Sequence, residues 1–215
     1  MLTRLGIIGD VHAETGFLQR ALEHLQGLEV ERLLCVGDIV DGPGDGYDVD
    51  ECCALLKEHN VLTVCGNHDR WLLENTMRDL EGATDYDDLA PESLAYLQRL
   101  PTTAELDTSV GKLLLCHGVG ENDMATVYPY DHGYALSSNE ALQSLRRSHY
   151  RIAIGGHTHL RMVRRFDPIT FINAGTLHRE FTPCFGYLDL ASGSIDFFSP
   201  TGERIERHAL TGQDA

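Results

Sequence analysis

The chain has 215 residues, 42% of them hydrophobic, which is enough to bury the core of one domain without disulfide support. Its formal net charge of −16 weakens the case for a nucleic-acid partner, because phosphate contacts need clustered Lys and Arg. No apolar run reaches the about 18 residues of a membrane helix, and the first run is too short for a signal peptide. We therefore expect one domain over residues 1–215, located in the cytoplasm and without a membrane segment.

The first third of the chain alternates strand and helix patterns. Short apolar runs predict three buried strands, at residues 4–9, 32–36 and 61–65. Between them, Thr15 is predicted to cap one helix, and Asp48 with Glu51 forms a capping-box pattern for a second helix that ends near Glu58. Strands separated by helices need crossover connections, so this third predicts a largely parallel sheet.

The middle of the chain has a different pattern. Residues 70–100 are predicted to be mostly helical, with an acidic interruption and a new start near Pro91. Two strands are then predicted, at residues 104–108 and 112–116. After a long loop, Ser137 and Glu140 form a capping-box pattern for a helix that ends near Arg147.

The last third is rich in short strands. They are predicted at residues 152–154, 162–166, 170–172, 185–190 and 194–198. Ala191, Ser192 and Gly193 predict a hairpin turn, and the final stretch predicts an edge strand and a loose tail. A βα half followed by a β-rich half indicates two sheets packed face to face, with helices outside.

Five short polar motifs each follow an apolar run, so each is expected where a strand ends. They are Asp10-Val11-His12, Gly37-Asp38-Ile39-Val40-Asp41-Gly42, Gly66-Asn67-His68-Asp69, Cys116-His117-Gly118 and Gly155-Gly156-His157-Thr158-His159. Each alone has an ordinary structural explanation, such as a turn or a helix cap. Together they supply carboxylates, an amide and imidazoles, which are the ligands of a two-metal hydrolytic site.

The spacing within the motifs suits metal binding. Asp10 and His12 are two residues apart, so in an extended chain both point to the same side and can reach one ion. The carboxylate of Asp38 has two oxygens and can bridge two ions. His157 and His159 are also two apart and can face two ions that lie close together.

The third motif combines a ligand with a proton donor. Asn67 offers a neutral carbonyl oxygen, and His68 could give a proton to a leaving oxygen. We predict that Asp69 orients the His68 ring and keeps it protonated. Asp41 is interpreted mainly as a residue that shapes its loop.

The cysteines are a separate question. Cys35, Cys65 and Cys116 lie in apolar, strand-like runs, and none of the six cysteines forms a CxxC pair, which is typical of reduced, buried thiols. Because Cys65 and Cys116 stand close to proposed ligands, thiolate ligation is an alternative there. The oxygen and nitrogen ligands suffice without it.

The ordered set of motifs resembles the calcineurin-like metallophosphoesterase superfamily over residues 10–159. The segment at residues 172–176, Ile-Asn-Ala-Gly-Thr, resembles a turn of its small bacterial phosphodiesterase branch, with Ala174 where proline is usual. The resemblance implies an α/β fold, a four-layer αββα sandwich of two mixed β-sheets flanked by helices. It also implies a single metallophosphoesterase domain, with residues 70–100 as a helical insertion near the active site.

The resemblance further implies two divalent metal ions, with Asp38 as the bridge and a hydroxide between them. One ion would be held by Asp10, His12, Asp38 and His159. The other would be held by Asp38, Asn67, His117 and His157. Manganese is the first expectation, with iron, zinc, nickel and cobalt as alternatives because all accept nitrogen and oxygen ligands.

The expected function is hydrolysis of phosphoesters, as a phosphodiesterase or phosphatase on small phosphorylated substrates. Arg70 and Arg179, which follow the third motif and the Gly175 turn, are candidate substrate contacts. One alternative is a protein Ser/Thr phosphatase-like enzyme, although Gly42 and Asp69 stand where that branch carries arginine and glutamate. Another is a non-enzymatic scaffold that kept the fold, which predicts decayed ligands. The sequence does not indicate an oligomeric state.

Overall fold

The structure is a computed structural model, and it describes residues 1–210. In this part of the chain there are eleven strands: β1 (Arg4–Ile8), β2 (Arg32–Cys35), β3 (Leu62–Thr63), β4 (Ala104–Thr108), β5 (Gly111–Leu115), β6 (Ile152–Gly155), β7 (Met162–Phe166), β8 (Ile169–Asn173), β9 (Phe185–Asp189), β10 (Ser194–Phe198) and β11 (Arg204–Ala209). The α-helices are α1 (Thr15–Gly27), α2 (Gly46–Glu58), α3 (Asn67–Glu74), α4 (Pro91–Leu97), α5 (Tyr134–Ser137) and α6 (Glu140–Arg146), and Tyr86–Asp88 forms a 3₁₀ turn.

The strands form two mixed sheets, as predicted. The first sheet has the order β11-β10-β9-β1-β2-β3, and the second has the order β4-β5-β6-β8-β7. Strands β1, β2 and β3 are parallel, which confirms the parallel sheet expected from the first third. Strands β9, β10 and β11 extend that sheet in antiparallel pairing, with β11 at the edge. The predicted tail continues into residues 211–215, outside the described residues.

Side chains on neighbouring positions of each central strand enter different cores. In β1, Ile7 packs in the core between the two sheets, whereas Ile8 packs in the core that α1 and α2 cover. In β5, Leu115 faces the core between the sheets and Leu114 packs in the core that contains Leu142 of α6. Full burial of such a side chain contributes about 1.5–3 kcal/mol. The layers are therefore helices, sheet, sheet and helices, which confirms the four-layer αββα prediction.

Three helix starts differ from the sequence prediction. Helix α1 begins at Thr15 and its N-cap position is Glu14, so Thr15 is not the cap. Helix α2 begins at Gly46, where the Asp45 side chain accepts from the backbone N–H groups of Tyr47 and Asp48. The Asp48 side chain in turn accepts from the Asp45 N–H. Asp45, not Asp48, is therefore the cap. Likewise, α6 is capped by Asn139, whose side chain accepts from the Leu142 N–H, and not by Ser137.

The segment between residues 70 and 100 is less helical than predicted. Helix α3 ends at Glu74, with Asn75 in the left-handed conformation at φ 52°. Residues 75–85 then form an irregular loop before the 3₁₀ turn and α4. The loop is held against the end of the second motif, where the Gly42 N–H donates to the Gly82 carbonyl at 2.9 Å.

The parallel strands place the polar motifs at one edge of the molecule. Asp10, Asp38 and Asn67 follow β1, β2 and β3, while His117 and His157 follow β5 and β6. Because parallel strands end on the same side, and the two sheets are stacked, these residues meet. No helix within residues 1–210 is long and apolar enough to cross a membrane.

Candidate metal centre

The seven predicted metal ligands converge in two overlapping groups. In the first ligand group, His159 Nε2 lies 3.0 Å from His12 Nε2 and 3.6 Å from Asp10 Oδ2. Asp38 Oδ2 lies 3.8 Å from His12 Nε2. These distances bring the four residues that the resemblance assigned to one ion around a common point.

The second ligand group contains Asp38, Asn67, His117 and His157. His117 Nε2 lies 2.8 Å from Asn67 Oδ1 and 3.3 Å from Asp38 Oδ2. Ligand atoms of Asp38, His117 and His157 all lie within 4.8 Å of one another. Asp38 therefore belongs to both groups, as a bridging carboxylate must.

Two of the histidine rings form hydrogen bonds to backbone carbonyl groups through Nδ1, the ring nitrogen that faces away from the cluster. His117 Nδ1 lies 2.8 Å from the Val36 carbonyl oxygen, and His12 Nδ1 contacts the Asp41 carbonyl oxygen. Because a carbonyl can only accept, each Nδ1 donates a proton and each Nε2 presents a lone pair to the cluster. Nitrogen and oxygen lone pairs that converge in a buried space are the ligand set of a divalent cation.

The Asn67 amide supports the same interpretation. The side chain is fully buried, and its Nδ2 has no hydrogen-bond partner among the described residues. Leaving a buried donor unpaired costs about 1–3 kcal/mol. A ligand role for Oδ1, which points at the cluster, explains why the amide lies here in spite of that cost. The residues present thus fit two divalent ions.

The charges of the buried groups also favour a cation. Burial raises the pKa of Asp10 to about 7. Burial disfavours a charged His117 ring, but the carboxylates of Asp38 and Asp10 outweigh it and raise the pKa of His117 to about 10. The carboxylates thus stabilise positive charge beside His117 Nε2. A divalent ion at that point would replace the proton and favour the ionised form of Asp10.

Backbone strain concentrates at this site. His12, Asp38, Asp41, His157 and His159 all have positive φ angles, at 51°, 46°, 58°, 67° and 59°. A non-glycine residue in this region is uncommon and costs about 1–3 kcal/mol, so it persists only where surrounding contacts fix it. The concentration of such residues in the first, second and fifth motifs indicates that the backbone is shaped to aim these side chains.

Close backbone approach explains two of the glycines in the motifs. A Cβ on Gly66 would collide with the Asp38 backbone and carboxylate, and a Cβ on Gly156 would lie 2.5 Å from Asp10 Oδ1. These positions let the ligand carboxylates pack directly against the neighbouring loops. The glycines that the sequence offered as shaping residues therefore have a steric role here.

The predicted role of Asp69 as the partner of His68 is wrong. His68 Nδ1 lies 2.8 Å from Asp41 Oδ2. The Asp69 carboxylate instead accepts from backbone N–H groups, at 2.8 Å from Ile39 and 3.0 Å from Gly66. The physical reason is helical geometry, because consecutive residues on α3 point in different directions.

The sequence carried a signal for both roles. Asp69 stands at the third position of α3 and bonds back to the N-cap Gly66, which is the spacing of a capping box. Asp41 was interpreted as a loop-shaping residue, but its carboxylate orients the candidate acid. The sequence signal for this role is the position of Asp41 in the second motif, three residues after the candidate ligand Asp38.

Both candidate substrate arginines are paired with carboxylates. Arg70 Nε lies 2.7 Å from Asp123 Oδ2, and Arg179 Nε lies 2.7 Å from Glu14 Oε1. Arg179 also donates its backbone N–H to Glu14, so this pair fastens the loop that follows the Gly175 turn. The substrate contacts expected of the two arginines remain predictions.

Aromatic rings border the ligand groups, and sequence reasoning missed them. The Phe181 ring lies 4.4 Å from the His159 ring, and the Trp71 ring lies 4.8 Å from the His68 ring, measured between centroids. His178 packs against His12 at 5.2 Å. The two cysteines considered as alternative ligands face backbone carbonyl groups: the Cys116 thiol contacts the Gly118 and Ile154 carbonyls, and the Cys65 thiol contacts the Gly66 carbonyl.

Comparison with known families now identifies the chain. The model of the calcineurin-like phosphoesterase superfamily domain matches residues 3–193. The chain belongs to this superfamily. An uncharacterized protein of Methanocaldococcus jannaschii is 28% identical over 122 residues, which are 53% of this chain and 48% of that protein. The match thus spans about half the length of this curated relative.

Solved structures share the fold at low sequence identity. A hypothetical protein from Pyrococcus horikoshii has a TM-score of 0.73 at 16% identity, covering 94% of this chain and 89% of that chain. A metallophosphoesterase from Sphaerobacter thermophilus has a TM-score of 0.64 at 22% identity, covering 96% and 89%. The phosphoesterase Yfce from E. coli has a TM-score of 0.60 at 18% identity, covering 97% and 100%. These structures show the shared fold, and the family model shows membership of the superfamily.

The backbone bonds of Asp69 predict a structural role that can be measured. Replacing Asp69 with Ala leaves the N–H groups of Ile39, Val40 and Gly66 without their acceptor. We expect the free energy of unfolding to fall by roughly 3 kcal/mol, measured by urea denaturation followed by circular dichroism. The matched control Asp87→Ala removes an exposed carboxylate and should change stability by about 0.5 kcal/mol or less. Equal stability of the two variants would contradict the capping role.

Proposed function

We propose that this protein is a metal-dependent phosphoester hydrolase, a phosphodiesterase or phosphatase that uses a dinuclear metal centre and a bridging hydroxide. The observation that carries the proposal is the shared Asp38, which lies between His12 on one side and His117 on the other. Superfamily membership supports the reaction class, and the two ligand groups support two ions in place of one.

The proposed cofactors are two divalent ions held by the first and second ligand groups. When bound, they would lower the pKa of a water molecule at the site and neutralise phosphate oxygens. We propose manganese as the native metal, with iron, zinc, nickel and cobalt as alternatives. All five metals accept the nitrogen and oxygen ligands of the two groups.

His68 is the proposed acid. Its Nδ1 is held by Asp41, so Nε2 is the atom that can give a proton to the departing oxygen. Burial opposes a charged ring, but the hydrogen bond that the ring donates to Asp41 and the charge of Asp38 raise the pKa of His68. In the proposed step an oxygen from water bonds to phosphorus, the ester P–O bond breaks, and the leaving oxygen takes the proton from His68.

The proposed substrates are small phosphorylated molecules. With 33 acidic and 17 basic residues, the chain has a charge balance that opposes binding of a nucleic acid. We propose that the protein acts in the cytoplasm and needs no membrane. The seven ligands are present and converge, which argues against a non-enzymatic scaffold, and no described contact favours a protein substrate.

Metal dependence is the direct test of the proposal. Removing metal with a chelator should abolish hydrolysis of a panel of phosphate monoesters and diesters, and adding Mn²⁺ should restore it. Asp38→Asn should weaken binding at both positions, so elemental analysis should find less than one ion per chain. Hydrolysis that persists in the metal-free protein would overturn the proposal.

The role of His68 can be tested by comparing kcat on esters with poor and with activated leaving groups. A poor alkoxide leaving group needs a proton, whereas an activated aryl oxide does not. We therefore expect His68→Ala to reduce kcat about 100-fold or more on an alkyl ester, and only a few-fold on a nitrophenyl ester. Equal losses in kcat on the two esters would remove His68 from the acid role.

A further inference from the structure

The irregular loop at residues 75–85 contains an arginine, Arg78, that pairs with Asp41, the hydrogen-bond partner of the candidate acid. Arg78 Nη2 lies 2.8 Å from Asp41 Oδ2, and Arg78 Nη1 lies 2.9 Å from Asp41 Oδ1. This is a bidentate pair, in which the planar guanidinium matches both carboxylate oxygens. Arg78 is itself fixed, because its Nε donates to the Thr76 carbonyl at 2.8 Å and its Nη1 to the Thr84 carbonyl at 3.2 Å.

Asp41 is shared between this loop and His68. Its Oδ2 accepts from Arg78 and faces His68 Nδ1 at 2.8 Å, while its Oδ1 accepts from Arg78 and from the Thr84 N–H at 2.8 Å. The Asp41 side chain is only 4% exposed. Four donors thus surround one buried carboxylate, and three of them come from the loop.

The backbone of the loop is docked on the same short segment. The Asp41 N–H donates to Thr84 Oγ1 at 3.0 Å, and the Gly42 N–H donates to the Gly82 carbonyl at 2.9 Å. Asp41 has a φ of 58°, a strained conformation that these contacts fix. The loop therefore holds both the backbone and the carboxylate of Asp41.

We propose that Arg78 is a positioning residue for phosphoester hydrolysis, which acts on His68 through Asp41. The proposal rests on the proposed function and assigns a role to the irregular loop within the segment 70–100. Arg78 would touch neither the substrate nor the metal ions. It holds the Asp41 carboxylate in one orientation, so that this carboxylate accepts from His68 Nδ1 and the ring directs Nε2 toward the leaving oxygen.

The proton balance shows what is lost without Arg78. His68 Nε2 gives its proton to the leaving oxygen as the P–O bond breaks, and water later returns a proton to Nε2. If the Asp41 carboxylate rotates, the His68 Nδ1–H loses its acceptor, the ring can turn, and the Nε2–H no longer faces the leaving oxygen. The loss should therefore be confined to substrates that need the proton.

The test compares Arg78→Met and Arg78→Lys with Asp79→Asn, an exposed neighbour on the same loop. On an alkyl phosphoester, we expect Arg78→Met to lower kcat about 10- to 100-fold with little change in KM. Arg78→Lys keeps the charge without the bidentate geometry and should show a smaller loss. On a nitrophenyl ester both variants should stay within a few-fold of wild type, and Asp79→Asn should match wild type on both esters.

A double-mutant cycle separates positioning from a general structural effect. In a His68→Ala background, Arg78→Met should cause no further loss on the alkyl ester, because the group through which it acts is gone. The same fold loss in both backgrounds would overturn the proposal. If Arg78→Met does not fold, the cycle is run with Arg78→Lys, to which the same criteria apply.

A second readout does not depend on activity. In ¹⁵N-resolved spectra of the metal-free protein, the His68 Nδ1–H signal should show a hydrogen bond to a carboxylate in wild type, and its shifts should change in Arg78→Lys. Unchanged shifts in that variant would overturn the proposal even if the enzyme is active. Failure of the proposed function would instead appear as absence of hydrolysis by metal-loaded wild type, with the ¹⁵N result still deciding the positioning role.

Discussion

Asp10 and Asp38 lie side by side at the ends of two parallel strands, both almost fully buried. Burying two carboxylates is unfavourable unless a positive charge compensates them, and both carboxylates raise the pKa of the buried His117 ring beside them. The order of strands, the tight glycine turns and the left-handed backbone of the ligands all serve to hold this arrangement. The charge at Asp38 is thus the constraint on which the rest of the site depends.

The two sheets supply the ligands in a division that follows from the topology. The first sheet provides both carboxylates and the amide, from the ends of β1, β2 and β3. The second sheet provides His117 and His157, from the ends of β5 and β6. Neither sheet alone could complete a group around Asp38. Packing of the sheets through their shared apolar core is therefore what assembles the centre.

The convergence of the seven candidate metal ligands could be predicted from the sequence, because each follows an apolar strand and parallel strands end together. The partner of His68 was not, because the choice between Asp69 and Asp41 depends on side-chain direction at the start of α3. Asp69 is adjacent in sequence but points to the helix cap, while Asp41 is distant in sequence and near in space. The acid is therefore organised by a long-range contact that spacing does not encode.

The segment after α3 shows the same limit of sequence reasoning. Its composition predicted helix, but Asn75 in the left-handed conformation ends α3 and Gly82 turns the chain back toward Asp41. What decides the conformation is docking on the 37–42 loop through Arg78 and Thr84, a tertiary interaction that overrides local propensity. Residues 75–85, which lack regular structure, thereby contact Asp41, the partner of the candidate acid His68.

The central claim is that two ions share Asp38. It is tested most directly by diffraction at the manganese absorption edge from crystals grown with Mn²⁺. The account predicts two anomalous peaks, one against the first ligand group and one against the second, each in contact with an oxygen of Asp38. A single peak, or peaks that leave Asp38 without a metal contact, would contradict it.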